Sequence, residues 1–288
     1  MVVVIQCKDQ VGLVAAITGV IAAQGLNIVS MRENVDKAGS LFFSRLELEG
    51  PAGNGAGSGS DTGSADTERL QGMLRAVLPP EAIVRVNPEP LKSIAVLVTK
   101  EYHCLGDILL RHHFGTLGAR VECVIGNHGL LGDICERFSV PFRLVSHEGL
   151  DKAAFESALL RELEAYTFDY IVLAKFMRIL SPAFIDRFPS RMINIHHSFL
   201  PAFIGANPYR RAFERGVKLI GATAHFVTND LDEGPIIAQQ IIPVNHTFTP
   251  ADMMKAGKEI ETAVLARALQ LVFDDRVFIY HNKTVVFE

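Results

Sequence analysis

From residue 93 onward, short apolar runs alternate with helical stretches, and that alternation restricts the fold more than any other feature of the chain. The runs are 94–98, 121–125, 142–145 and 170–174, with helices expected from about Cys104, Gly129 and Asp151 between them. Strands this short and uniformly apolar are buried on both faces, and an intervening helix is the connection that a parallel pair requires. Residues 192–195 and 222–227 continue the sheet, and a helix over Pro250 to about Phe273 closes the pattern. The expectation is an α/β domain with a Rossmann-like, mostly parallel sheet, whose ligands lie beyond the carboxyl ends of the strands.

The first 87 residues follow another rhythm. An apolar run at 2–5 leads through Asp9, Gln10, Val11 and Gly12 to Val14, Ile17, Val20 and Ile21, which repeat at helical spacing. Gly25 can stop that helix, and 27–35 and 40–48 alternate as two strands able to pair as a hairpin. A second helix is expected from Asp66 or Thr67 to Val77, ended by Pro79-Pro80, with a last strand at 82–86. The order βαββαβ is the ferredoxin-like pattern. Residues 50–65 are almost all Gly, Ser, Ala and Asp, too poor in apolar surface to offset the entropy of ordering, so a flexible insertion within the domain is expected there. The boundary is placed at 88–92, dividing the chain into 1–87 and 93–288.

Composition narrows the partners. The net charge of -4 comes from interspersed residues rather than blocks, so there is no electrostatic footprint for nucleic acid or an anionic membrane. The apolar runs are far shorter than the ~20 residues of a membrane-spanning helix, and the N-terminus lacks the features of a secretion signal. A cytoplasmic protein acting on a small molecule is expected. Cys7, Cys104, Cys123 and Cys135 stand singly and read as reduced packing residues.

Two strand ends carry chemistry. In Asn194-Ile195-His196-His197, period-two alternation puts Asn194 and His196 on one side and turns His197 away. A carboxamide can donate to a carbonyl oxygen as it becomes an oxyanion, and an imidazole can do the same or move protons near neutral pH. The same spacing also suits a strand-end pair that merely binds loop backbone. The second cluster runs from His225 through Thr228, Asn229, Asp230 and Asp232 to Gly234-Pro235, and acidic turns of this kind are common. Neither cluster has the spacing of a calcium loop or a zinc-binding helix, so no metal is expected.

Phe176-Met177-Arg178-Ile179-Leu180, Asn194-Ile195-His196, Ser198-Phe199-Leu200-Pro201 and Asp230-Leu231-Asp232-Glu233-Gly234 resemble, in order and spacing, the folate formyltransferase family. Residues 173–178, 196–206 and 252–254 resemble its hydrolytic branch, and residues 9–13 through 25–28 resemble the ACT domain that this branch carries at its N-terminus. The resemblance implies Asn194, His196 and Asp232 as catalytic residues. It places the pterin of 10-formyltetrahydrofolate against Phe176, Met177, Arg178, Ile179, Leu180, Thr228, Asn229 and Asp230. Strand position adds His225 as support for the Asn194–His196 pair and His197 as a residue with either a structural hydrogen bond or a role at the water site, and Glu101 lies where the water site would be shaped. The folate is substrate, and no cofactor is implied. Members that formylate a phosphorylated amine hold its phosphate on a glycine-rich loop after the first strand, whereas here the loop reads Thr99-Lys100-Glu101-Tyr102-His103, which leaves water as the acceptor. The alternatives are transfer to an unidentified amine and a non-catalytic folate or amino-acid binder. The resemblance also implies glycine and methionine as effectors at Asp9, Gln10, Val11 and Gly12, and a homo-oligomer.

Overall fold

The computed structural model describes residues 1–50, 62–87, 91–201 and 208–288. The flexible insertion expected at 50–65 and the linker expected at 88–92 lie largely outside these residues. Two compact units emerge: Met1–Pro90 with Asp274–Phe278 and Val285–Glu288, and Leu91–Phe273 with Ile279–Thr284. The C-terminal residues are thus shared between the units rather than belonging wholly to the second, a division that local sequence pattern does not carry.

In the first unit, β1 (Val2–Lys8), α1 (Leu13–Ala23), β2 (Asn27–Asp36), β3 (Leu41–Glu49), α2 (Thr62–Val77) and β4 (Ile83–Asn87) follow the ferredoxin-like order, with the sheet arranged β2-β3-β1-β4. Helix α2 begins several residues before the expected Asp66. Alternation sorts the strands: Val3, Ile5, Cys7, Phe42, Leu46 and Val84 face a core with Leu13, Ile17, Ile21, Leu70 and Leu74 of the helices. The opposite face is covered too. Phe43, fully buried there, meets the ring of Phe278 edge-on at 5.5 Å, Phe278 meets Phe287 at 5.2 Å, and Arg45 Nε donates to the Asp274 carbonyl at 2.9 Å.

The second unit contains β5 (Lys92–Val98), α3 (His103–His113), β6 (Ala119–Gly126), a 3-10 turn at Gly129–Leu131, α4 (Gly132–Arg137), β7 (Phe142–Leu144), α5 (Lys152–Leu163), β8 (Tyr170–Leu173), α6 (Pro182–Ile185), β9 (Met192–His196), α7 (Pro208–Arg215), β10 (Leu219–Phe226), β11 (Ile236–Pro243) and α8 (Pro250–Phe273). The strands β12 (Val277–Tyr280) and β13 (Lys283–Val286) form a separate pair. The seven-stranded sheet has the order β11-β10-β9-β8-β5-β6-β7. Pairs β5–β6, β5–β8, β6–β7 and β8–β9 are parallel, while β9–β10 and β10–β11 are antiparallel. Strand β11 is not foreshadowed in the sequence: its edge position leaves much of it half-exposed, without the apolar run of a buried strand. Ala95, Leu97, Ile171 and Met192 bury one face of the central strands against Phe155, Leu159, Leu163 and Phe184. Among the described residues, no helix is long and apolar enough to cross a membrane.

Phe278→Ala should open the far face of the first unit at a cost of about 3–5 kcal/mol, the usual range for truncating a buried aromatic. The measurement is denaturant unfolding followed through thiol reactivity of Cys7, which is buried in that unit; unchanged protection would show that the C-terminal residues do not support it.

Candidate active site

At the carboxyl ends of β8 and β9, beside the end of β10, lies a cavity of about 440 Å³ lined mainly by apolar side chains. Its walls come from Leu173, Lys175 through Leu180 and Ile185, from Asn194 through His197, and from His225, Val227 through Asn229, Leu231 and Asp232. Local contacts set these segments. Thr99 Oγ1 accepts the Met177 N–H at 2.9 Å, and Ser181 N donates to buried Glu156 Oε1 at 2.8 Å, bracing the 176–180 loop at both ends. The Ser181 hydroxyl donates to the other oxygen of the same carboxylate. At the opposite wall, Gly234 passes so close to Phe226 that a Cβ there would stand 1.8 Å from the Phe226 carbonyl oxygen. Only glycine fits, and this close approach turns the chain that carries Asp232 back over the strand ends. Asp232 itself has φ 58°, a left-handed conformation that non-glycine residues seldom adopt. Asn282 Nδ2 donates to the Glu233 carbonyl at 2.8 Å and ties the turn down.

The antiparallel register sets His225 opposite Asn194. His225 Nδ1 lies 2.9 Å from the Phe226 carbonyl, which can only accept, so Nδ1 carries the proton and Nε2 is an acceptor. Asn194 Nδ2 donates to that Nε2 at 3.2 Å, which orients the carboxamide and leaves its second N–H for the cavity. Burial pushes the His225 pKa down against the pull of the Phe226 carbonyl and Asp232, keeping the ring neutral in this role. His196 Nδ1 stands 3.3 Å from Asp232 Oδ1, while its buried Nε2 has no protein partner. Burial tends to raise the Asp232 pKa, but the hydrogen bond from His196 and the neighbouring imidazoles outweigh it and hold the carboxyl below its ordinary range.

Asn194, His196, Asp232 and His225 therefore come together from three separate segments. His197 corrects the alternation argument. Strand β9 ends at His196, so His197 is not turned away: it lines the same cavity and stacks on His196 at 4.9 Å and 27°. Phe176 and Leu180 serve both core and cavity, whereas Met177 and Ile179, 58% and 63% exposed, stand at the mouth. Arg178 lies over the Phe155 ring at 5.6 Å. Thr228 and Asn229 line the cavity, while Asp230 is absent from the lining and its carbonyl accepts from the Thr228 hydroxyl at 3.2 Å. Glu101 is also outside the lining, paired with Lys258 at 2.6 Å. In the first unit, Asp9 N donates to the Ser40 carbonyl at 2.9 Å, Gln10 and Val11 are exposed, and Gly12 caps α1 with φ 92°.

A buried charge cluster went unread in the sequence. Glu261 of α8 receives Lys175 Nζ at 3.0 Å and His103 Nε2 at 2.8 Å on one oxygen and the Tyr209 hydroxyl at 2.6 Å on the other. These residues lie 34 to 158 positions apart in the sequence, and no local pattern links them. Cys104 lies close enough for His103, Cys104 and Glu261 to converge on one point, but Lys175 already neutralises the carboxylate and burial pushes the thiol up. Burial opposes ionisation of Glu261, yet the hydrogen bonds from His103 and Tyr209 and the Lys175 charge bring its pKa down to about 2. Burial and the Lys175 charge bring His197 down to about 4.

Both shifts are depressions, so the unfolded chain binds more protons than the folded one: for His197 between about pH 6.5 and 4, and for Glu261 between about pH 4.5 and 2. Stability is then complete above these windows and falls as pH drops through them, with Glu261 contributing on the order of 3 kcal/mol. In Glu261→Gln the slope of stability against pH below 4.5 should flatten; an unchanged slope in acid titrations of chemical denaturation would refute this account. Gly234→Ala is expected to lower activity strongly through displacement of Asp232, checked by comparing turnover with melting temperature.

The Formyl transferase family matches residues 92–269 and the ACT domain family residues 1–51. Formyltetrahydrofolate deformylase of Escherichia coli (strain K12) is 49% identical over 280 residues, 97% of this chain and 95% of the relative. The crystal structure of a formyltetrahydrofolate deformylase from Pseudomonas syringae pv. tomato superimposes with a TM-score of 0.90 at 34% identity, covering 100% of this chain and 94% of that one. Glycinamide ribonucleotide transformylase 1 from Symbiobacterium toebii matches at 0.66 and 32% identity, covering 69% of this chain and 95% of its own.

Proposed function

The chain belongs to the formyltetrahydrofolate deformylase family, and on that premise we propose that it hydrolyses 10-formyltetrahydrofolate with water to formate and tetrahydrofolate. The observation that carries the reading is the arrangement of Asn194, His196 and Asp232 around one apolar cavity, in a chain similar to deformylases along nearly its whole length. A cavity of this size, apolar with a few convergent polar groups, suits a flat heteroaromatic ligand. Met177, Ile179 and Leu231, exposed at its edge, supply apolar contact for the pterin.

The formyl group is an amide of the folate nitrogen, and its hydrolysis passes through a tetrahedral oxyanion. Asp232, ionised at neutral pH, takes a proton from water as the water oxygen attacks the formyl carbon. The free N–H of Asn194 and the imidazole of His196, paired through Nδ1 with Asp232 and with its Nε2 unpartnered, stabilise the new oxyanion. The oxyanion re-forms a carbonyl as the C–N bond breaks, and the proton held by Asp232 passes to the leaving nitrogen. The products are tetrahydrofolate and formic acid, which loses its proton to water as formate; with that proton every atom is accounted for and no oxidation state changes, so the step needs no redox or group-carrying cofactor. His225 fixes the carboxamide of Asn194 and does not itself act on the formyl group.

In the same reading, the released formate serves formate-consuming steps such as those of purine synthesis. The first unit is the regulatory one, with glycine or methionine bound near Asp9 to Gly12, and the edge strand β2 is where copies of the chain meet in an oligomer. Its support is the ACT match and the left-handed Gly12 that ends the loop.

Purified protein given 10-formyltetrahydrofolate without any amine should release formate and tetrahydrofolate in equal amounts. Asp232→Asn should lose at least about 10²–10⁴ of kcat, the usual worth of a general base, while still binding the folate. Release only after an amine is added would make the chain a transferase, and folate binding without any turnover would make it a binding protein.

A further inference from the structure

The mechanism above leaves one buried cation on the cavity wall unused. Lys175 follows β8 by two residues and is 8% exposed, yet it lines the same cavity as Asn194, His196 and His197. A lysine has the length to carry its ammonium out to water. Here it is turned inward, from a backbone with φ 62° that lysine seldom adopts. The inward direction is set by Glu261, which meets Nζ at 3.0 Å and is itself held by the Tyr209 hydroxyl and His103 Nε2. Residues from α3, α7 and the loop after β8 thus converge on a carboxylate of α8 that holds the ammonium of a cavity-lining residue.

The charge of the reaction shows what that ammonium is for. The proposed catalytic groups bring one full negative charge, on Asp232; it passes to the oxyanion as Asp232 takes the water proton, and once the formic acid product has lost its proton, formate lies beside the re-formed carboxylate. An anion formed in an apolar cavity beside a carboxylate needs a compensating cation, because the low-dielectric surroundings strengthen the repulsion. Among the described lining residues the only other lasting cation is Arg178, which is less buried than Lys175 and lies over the Phe155 ring.

Building on the hydrolytic reading, we propose that Lys175 is the anion-binding group of the site, donating to the formyl oxygen as it becomes an oxyanion and holding formate until it leaves. Lys175 gives hydrogen bonds and charge but transfers no proton. Glu261, Tyr209 and His103 are its positioning residues. A fixed ammonium also disfavours entry of a protonated amine into the same space, so the device that receives formate selects water over amine acceptors.

The test combines kinetics with anion binding. Lys175→Met should lower kcat by about 10²–10³, the cost of losing one oxyanion donor, with KM for 10-formyltetrahydrofolate within about threefold. Formate, but not its neutral counterpart formamide, should raise the melting temperature of the wild-type protein, and that rise should vanish in Lys175→Met. A folded Lys175→Met with kcat within threefold of wild type, or equal protection of the wild-type protein by formate and formamide, would overturn the proposal. If Lys175→Met leaves Glu261 uncompensated and does not fold, Lys175→Met/Glu261→Gln removes both charges and is read in the same way. Failure of the hydrolytic reading is distinguishable: wild-type protein would release no formate from the folate, while the formate-specific stabilisation would remain.

Discussion

The register that places His225 opposite Asn194 is the constraint on which the rest of the site depends. It exists because β10 runs antiparallel to β9 in a sheet whose other central pairs are parallel. The reversal sets the last residues of β10 beside the first half of β9, and the turn that follows brings Asp232 back to His196, so a carboxamide, two imidazoles and a carboxylate meet although they come from separate segments. Asn194 then has only one orientation compatible with an acceptor at His225 Nε2, which follows from the Nδ1–H bond to the Phe226 carbonyl. A backbone oxygen, with no choice of role, thereby fixes the orientation of the Asn194 carboxamide through the His225 ring.

Around this frame the molecule spends its buried charges unevenly. Asp232 is offset by hydrogen bonding to an imidazole, while Glu261, more deeply buried, is offset by a lysine, a histidine and a tyrosine together. The second arrangement resembles what a core needs to tolerate a carboxylate, but it also lowers the basicity of His197 and keeps an ammonium on the cavity wall. One network thus supports the fold and sets the electrostatics in which the formyl group would react.

Much of this was legible in the chain. The long helix Pro250–Phe273 falls where its apolar periodicity predicts, and the central strands fall within a few residues of their apolar runs, because buried parallel strands have no polar face to blur the signal. Asn194 and His196 were readable as a pair because they stand two apart in a strand, where spacing alone decides the face. His197 was misread for the matching reason: alternation is a property of extended backbone, and the strand stops at His196. Edge strand β11 was missed because its half-exposed positions carry no continuous apolar run, and Lys175, Tyr209, His103 and Glu261 because each looks ordinary in its own segment.

The sequence by itself determined the two secondary-structure rhythms, the order of elements and the identity of the polar residues at the strand ends. These depend on interactions within a few residues, which local periodicity records. Only the tertiary structure decided which polar groups meet, that Asp232 reaches His196, that Glu261 captures Lys175, and that Asp274–Phe278 and Val285–Glu288 pack with the first unit. Those outcomes depend on chain reversals and on the burial of charge at a distance, and neither has a local signature.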